Sequence, residues 1–361
     1  MKIVLIGRRS YPISAPRANR ITELAKELSR QGHEVILYAL LGDIDYTDIS
    51  KETGVKFKSL GKARYGLYSN SGQSHVGLVA RIFTKLFKKA LLFPDIIMIP
   101  MVKKAIKQEG KIDLLITIAN PHINHFAAAL ADRSKVGCWI ADCGDPFMGN
   151  PFRKHPFYFE YFERAWCKRC NYITVPIEEA KDGYYPEYRE KIKVIPQGFD
   201  FNLIKLAEYK QNTAPTFGYS GIFYKDLRDP EKFLQYLVEL NKPFKFVCYT
   251  KPGFLEPYKE KLGDKIEIYD YIPREDLLKE LSKMDFLINL PNKSGVQQPS
   301  KLIDYALTKR PILAVSSDMT DEEKQHCVEF MNGDYTHKYI VPDIQQYNIV
   351  NVASKFLALT K

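Results

Sequence analysis

The sequence has no apolar run long enough to span a bilayer. Its most hydrophobic stretch, Ala90 to Val102, is short and is interrupted by Pro94, Asp95 and Pro100. The six cysteines, Cys138, Cys143, Cys167, Cys170, Cys248 and Cys327, lack the paired spacings of a disulfide framework, and the opening MKIVLIGRRS reads as a buried strand instead of a signal peptide. A reduced, cytoplasmic setting is expected. Cys167-Lys168-Arg169-Cys170 has no second CxxC to complete a zinc or redox site and reads as structural. No repeat at a solenoid period and no low-complexity tail is present. Acid is in deficit: 43 Asp and Glu against 53 Lys and Arg give a net charge of +10, which favours phosphate-bearing partners. Nucleic acid, an anionic membrane surface and a nucleotide-linked substrate all meet that description. No RNA- or DNA-binding module signature accompanies the charge, so nucleic acid is not an expected partner.

What is present is a soluble globular composition, 45% hydrophobic and 27% charged, over 361 residues, enough for about two domains with their own cores. Apolar runs at Lys2 to Ile6, Glu34 to Tyr38, Val55 to Leu60, Leu114 to Ile118, Gly137 to Ala141 and Tyr172 to Val175 predict strands, and Ile21, Leu24, Ala25 and Leu28 mark one helical face between the first two. The pattern restarts after a polar break at Gln211 to Ala214. Strands are predicted at Thr216 to Tyr219, Phe244 to Tyr249, Lys265 to Tyr269, Phe286 to Leu290 and Pro311 to Val315, with helices at Pro230 to Leu240 and Arg274 to Lys283. This alternation predicts an α/β protein of two doubly wound parallel-sheet domains, with a ligand in the cleft outside the strand C-termini.

Three groups of residues carry candidate chemistry. In QPSKLIDYALTKRPIL, Pro299 suits a first helical position and Ser300 leaves free backbone N–H groups there, so the helix start can receive a diphosphate. Lys301 adds a point charge, and Asp304 falls on the same face, within reach of a ribose diol; Leu302, Tyr305 and Ala306 pack inward in the alternative reading of a plain amphipathic helix. Asn120 and His122 follow one strand end, and Asp142 and Asp145 another, so both pairs should line one rim; His122, Asp142 or Asp145 can orient or deprotonate a substrate hydroxyl. Asx-turn, capping and packing roles compete with these. From Val79 to Phe93 an apolar stripe of Ile82, Phe83, Leu86 and Ala90 is flanked by Arg81, Lys85, Lys88 and Lys89, with Lys103, Lys104 and Lys107 beyond; such a face suits anionic headgroups or a solvated helix pair. Asp43-Ile44-Asp45 is the one Asp-x-Asp triplet and has no third ligand evident nearby, so no metal is expected.

The segments SYPISAPRANRITELAKELSRQGHEV, DCGDPF, ITVPIEEAKDGYYPEYREKIKVIPQGFD, GYSGIFYKDLRDPEKFL, DYIPREDLLKELSKMDFLINL and QPSKLIDYALTKRPIL resemble, in order and over nearly the whole chain, GT-B glycosyltransferases of the large retaining family that builds bacterial surface polysaccharides. The resemblance implies two Rossmann-like domains facing a central cleft. Residues 1–196 would form the acceptor-side domain, 197–342 the nucleotide-sugar-binding domain, and 343–361 a last helix returning to the first. It implies a nucleoside-diphosphate sugar as co-substrate, a glycan or polyprenyl-diphosphate-linked acceptor, no cofactor and no required metal, in a cytoplasmic enzyme that can meet the membrane peripherally.

Site residues follow from the same resemblance. Asp304 stands where the family places the second Glu of its E-x7-E pattern; the first would fall at Val296, which has no acid. Gly221 matches the glycine at the first strand end of the second domain, but Ile222 stands where an Arg often follows. Arg228, seven residues on, becomes the leading diphosphate cation, with Lys225 second. Tyr271 and Ile272, with Pro273, match the loop that contacts the base through backbone. Arg17 lies in a loop, ISAPRA, without the glycines many relatives carry there, and can meet a phosphate of donor or acceptor. The leaving phosphate is thought to act as base in such enzymes, so a protein base is optional. Two other functions stay open: a nucleotide-sugar epimerase of the same fold, and a non-catalytic partner subunit.

Overall fold

Ile3, Val4, Leu5 and Ile6 are all fully buried, the pattern of a strand covered on both faces. They belong to β1 (Lys2–Ile6), an interior strand of a seven-stranded parallel sheet. The computed structural model describes residues 1–75, 77, 87, 91–150, 154–225, 228–291 and 301–361. These divide into two compact units, Met1–Asp200 with Gln345–Lys361, and Phe201–Ile344.

In the first unit, β2 (Glu34–Ala39), β3 (Lys56–Ser59), β4 (Ile112–Ile118), β5 (Val136–Asp142), β6 (Tyr172–Val175) and β7 (Ile192–Val194) join β1 in the order β3-β2-β1-β4-β5-β6-β7. Alternate residues of each strand enter opposite layers: Val4, Ile6, Ile36 and Trp139 lie in one, and Ile3, Leu5, Val35 and Ile116 in the other. Helix α1 (Pro16–Arg30) starts on a proline and presses Ile21, Leu24, Ala25 and Leu28 into the second layer. The late helix Ile349–Ala358 adds Val352, Ala353 and Phe356 to that same layer, and Asn348 caps it by accepting from Val350 N at 3.1 Å.

In the second unit, β8 (Thr216–Ser220), β9 (Lys245–Tyr249), β10 (Ile266–Tyr269), β11 (Phe286–Asn289) and β12 (Ile312–Ala314) form a parallel sheet of order β10-β9-β8-β11-β12. Its faces are filled by a cluster around Phe217, Phe246, Phe286 and Phe330, and by another around Tyr249, Leu287, Leu302 and Tyr305. In both sheets strand order reverses at the first strand of the unit, and a doubly wound sheet leaves room for ligands outside the strand C-termini at such a reversal. In the first unit that point lies between β1 and β4, in the second between β8 and β11.

The structure departs from the sequence expectation in a few places. β7 is three residues long, too short for a periodic signal. The last helix expected within 343–361 is broken at Asn348 into a 3-10 turn, Ile344–Tyr347, and the helix Ile349–Ala358. Most of the basic stretch from Val79 to Phe93 lies outside the described residues. Lys103, Lys104 and Lys107 are exposed on the helix Met98–Gln108, whose Met98, Val102, Ala105 and Ile106 face the core. Among the described residues no helix is long and apolar enough to cross a membrane.

Candidate functional site

In the second unit the C-terminal end of β8 is tied to the helix Lys301–Leu307. Tyr305 is fully buried and its hydroxyl accepts from Ser220 N at 2.8 Å. The next residue, Gly221, has φ of +124°, and a Cβ there would strain the backbone. One turn before Tyr305, Lys301 is buried, with Nζ 4.4 Å from the Tyr219 ring centroid and 3.5 Å from Leu290 O, which it donates to. The loop after Gly221 folds back on itself: Arg228 N donates to Tyr224 O at 2.8 Å, setting the guanidinium 5.5 Å from the Tyr224 ring. Arg228 Nε is buried without a partner, and neither Arg228 nor Lys301 has a carboxylate partner among the described residues. Burial, and then repulsion from Arg228, bring the Lys301 ammonium down to about 7.

Asp304 is engaged in a way not visible in the sequence. Arg274, at the start of the helix Arg274–Leu281, donates Nε to Asp304 Oδ1 at 2.8 Å, and its Nη2 lies 2.6 Å from the same oxygen. Burial raises the Asp304 carboxyl, with Arg274 opposing. Asp304 Oδ2 has no partner among the described residues. Ile272 packs in the cluster that holds Leu302, while Tyr271 is exposed and feels the Arg228 charge. Lys225 is exposed in the same loop as Arg228. Ser300, Pro299 and Val296 lie outside the described residues.

In the first unit the ends of β4, β5 and β6 are held by one buried network. Asp142 accepts from Arg20 Nη2 at 2.8 Å and Thr174 Oγ1 at 2.8 Å through Oδ1, and from Arg20 Nε at 3.3 Å and Arg17 Nη2 through Oδ2. Arg20 also donates to Ile195 O at 3.0 Å and to Pro196 O, and Arg17 Nε to Ala119 O. Burial pushes the Asp142 carboxyl up, but Arg17 and Arg20 outweigh it and leave it at about 2. A carboxylate so occupied is no proton acceptor at neutral pH, and this departs from the sequence expectation for Asp142. The physical reason is the two guanidiniums. Arg17, expected to reach a phosphate, is likewise engaged inward, through Nε and Nη2.

Half-buried Asn120 follows Ala119, and His122 opens the helix Ile123–Leu130. His122 Nε2 lies 3.1 Å from Asp145 O, while the Asp145 carboxylate is exposed and has no partner among the described residues. The structure thus brings His122 and Asp145 together and places Asp142 beneath them in the core. Sequence reasoning missed Arg20 and Glu163. Glu163 is fully buried and accepts from Phe147 N and Met148 N, both at 3.3 Å, and from Tyr185 O–H at 3.1 Å, pinning the loop that carries Asp145. The one available signal was an acid on the buried face of the helix Phe159–Arg169. Asp45 accepts from Thr47 N at 2.9 Å and Thr47 Oγ1 at 2.6 Å, a local turn that occupies the Asp-x-Asp triplet.

Two parallel sheets reversing at their first strands, each with basic and polar residues gathered where the order reverses, make up the GT-B fold of glycosyltransferases. A glycosyltransferase from Rickettsia africae ESF-5 is similar over 99% of this chain and 97% of its own, with a TM-score of 0.64 and 13% identity. The lipopolysaccharide outer core galactosyltransferase WaaB gives 0.60 over 99% of both chains at 12% identity. Anabaena HepE, solved in complex with UDP-glucose, gives 0.58 over 99% of this chain and 98% of its own at 9% identity. At such identities the likeness is one of fold. Among curated protein sequences none matches significantly. Residues 18–203 match the model of Glycosyltransferase Family 4, and the chain belongs to that family: it is a glycosyltransferase.

Proposed function

We propose that the enzyme moves a sugar from a nucleoside-diphosphate sugar to a hydroxyl of a glycan or lipid-linked saccharide, with retention, in surface polysaccharide biosynthesis. One observation carries the reading: Lys301 and Arg228 stand close at the β8 and β11 ends, buried or half-buried, and neither has a carboxylate partner among the described residues. Such a pair calls for an anion. Breaking the sugar–diphosphate bond builds negative charge on the leaving group, and fixed cations there stabilise the transition state more than the ground state. Gly221 lets a phosphate approach the backbone, and Asp304, steadied by Arg274, keeps Oδ2 for the ribose diol. Ile272 and Tyr271 flank the base. HepE, a neighbour in fold, holds UDP-glucose, a donor of this class.

On the acceptor side the reading uses Asp145 and His122 to orient a hydroxyl, Asn120 beside them, and Arg17 with Asp142 as the brace beneath. The departing phosphate serves as base, which fits a first unit whose Asp142 carboxylate is held ionised by two arginines. No metal is required, since the cations already do its work. Exposed Lys103, Lys104 and Lys107 support peripheral contact with anionic lipid, where a polyprenyl-diphosphate-linked acceptor resides. A thermal-shift panel of UDP, GDP, ADP, TDP and their sugars, followed by product analysis, tests the proposal. Nucleoside diphosphate released only with acceptor present is the expected outcome. Isomerised donor without acceptor would indicate epimerisation, and stabilisation by no nucleotide would overturn the donor site.

A further inference from the structure

A cluster that shares no residue with the donor or acceptor groups combines two imidazoles with a carboxylate. On the helix Asp321–Met331, His326 and Glu329 are three residues apart and share a face. Gly333, at φ +84°, ends that helix, and Asp334 N donates to Glu329 O at 2.9 Å, turning the chain back. Asp334 Oδ1 then accepts from Thr336 N at 3.0 Å and Thr336 Oγ1 at 2.6 Å, while the Tyr335 ring packs 5.2 Å from that of Phe330. These contacts shape the loop without any ligand, and they lay His337 against the helix. Its ring stacks on His326 at 4.0 Å, and its Nδ1 lies 2.8 Å from Glu329 Oε2. One ligand atom from each of His326, Glu329 and His337 lies within 4.8 Å of the other two, and Glu322 Oε1 is 3.9 Å from His326 Nε2.

We propose that His326, Glu329 and His337 form a binding site for a divalent transition-metal ion, zinc above all, with water or Glu322 as fourth ligand. Two nitrogens and one oxygen suit zinc and do not suit magnesium or calcium, which take all-oxygen shells. Ligand atoms in a tetrahedral zinc site stand roughly 3.4 Å apart when the bonds are about 2.1 Å. Closing the remaining gap requires the two imidazoles to turn out of their stack, which the exposure of His337 and the partial exposure of His326 allow. The ion displaces the proton now between His337 Nδ1 and Glu329 Oε2, and Gln325, whose Nε2 donates to Glu329 Oε1 at 3.2 Å, orients the carboxylate from behind. Bound there, it would pin the helix to the loop leading to Tyr339, whose N–H donates to Ile312 O at 2.7 Å on the edge strand β12.

The test uses the full chain, free of any affinity tag, stripped with chelator and titrated calorimetrically with zinc chloride. One ion per chain, a raised Tm with zinc and no binding of magnesium are expected. His326→Ala and His337→Ala should each weaken zinc binding at least roughly tenfold, with unchanged far-ultraviolet circular dichroism. His75→Ala, elsewhere in the chain, should leave it unaltered. No saturable binding in the wild type, or equal affinity in the double variant His326→Ala/His337→Ala, overturns the site; the second outcome would point to the cysteines. Glycosyl transfer is not the readout, so failure here leaves the donor-site reading to its own test.

Discussion

Lys301 is buried with no carboxylate partner among the described residues, and its protonation should therefore be coupled to the ligand. With its ammonium at about 7, part of the population is neutral at pH 8, and a diphosphate beside it would restore the proton. Nucleotide binding at pH 8 should then take up a fraction of a proton, seen as a binding enthalpy that varies with the ionisation enthalpy of the buffer. Lys301→Arg, charged throughout, should abolish that dependence; a wild type that shows none would separate Lys301 from the phosphates. Arg228→Ala and Asp304→Ala should each cut turnover at least about tenfold, the former mainly in kcat. Arg274→Ala, acting through Asp304, should raise the donor KM more than it lowers kcat. Wild-type kinetics in the first two variants with intact folding would overturn the assignment. Lys301 and Asp304 were legible because both sit within one turn of a readable helix start. Arg274 was not, since its partner lies 30 residues further along the chain. Asp142 was placed at the right strand end, but the arginines that remove its basicity come from more than 120 residues away.

Among elements, the helix Phe159–Arg169 and the loop after β5 are joined by Glu163. Burial raises the Glu163 carboxyl to about 7 from a free value of 4.5, with Tyr185, Met148 and Phe147 opposing. The folded state keeps this proton longer than the unfolded chain does, so between pH 4.5 and about 7 it binds more protons, and stability falls as pH rises through that window. Glu163→Gln should flatten this part of a Tm-against-pH profile measured from pH 4.5 to 8; an identical slope in both proteins would show that the group titrates normally. Strands were the readable elements, since β1, β4 and β5 are buried on both faces and appear as near-continuous apolar runs. The helix Asp321–Met331 was overlooked although it announces itself: Thr320 and Glu323 form a reciprocal capping box. Its weak amphipathic pattern hid it, because charged residues occupy most of its surface.

For the whole molecule, both sheets, except the short β7, and their restart could be read from pattern alone. The long-range networks that finish each unit could not, because pattern records which face is buried and not which partner covers it. If Lys301 and Arg228 supply the charge a metal would otherwise bring, as proposed, turnover should persist in excess chelator. Complete loss that added metal restores would refute that reading. The net charge of +10 should make association with anionic vesicles fall steeply with ionic strength. Binding that is insensitive to salt would argue against a headgroup contact through Lys103, Lys104 and Lys107.

The helix Ile349–Ala358 completes a layer begun by Ile3 and Leu5, while Phe201–Ile344 forms a continuous unit of its own. On the ribosome the second unit has all of its strands before the first has its closing helix. The earlier-made half must wait, with Ile21 and Leu24 lacking their late cover, until Phe356 emerges. A nascent chain arrested before Ile349 should therefore protect the later segment from protease while the earlier one is still cut.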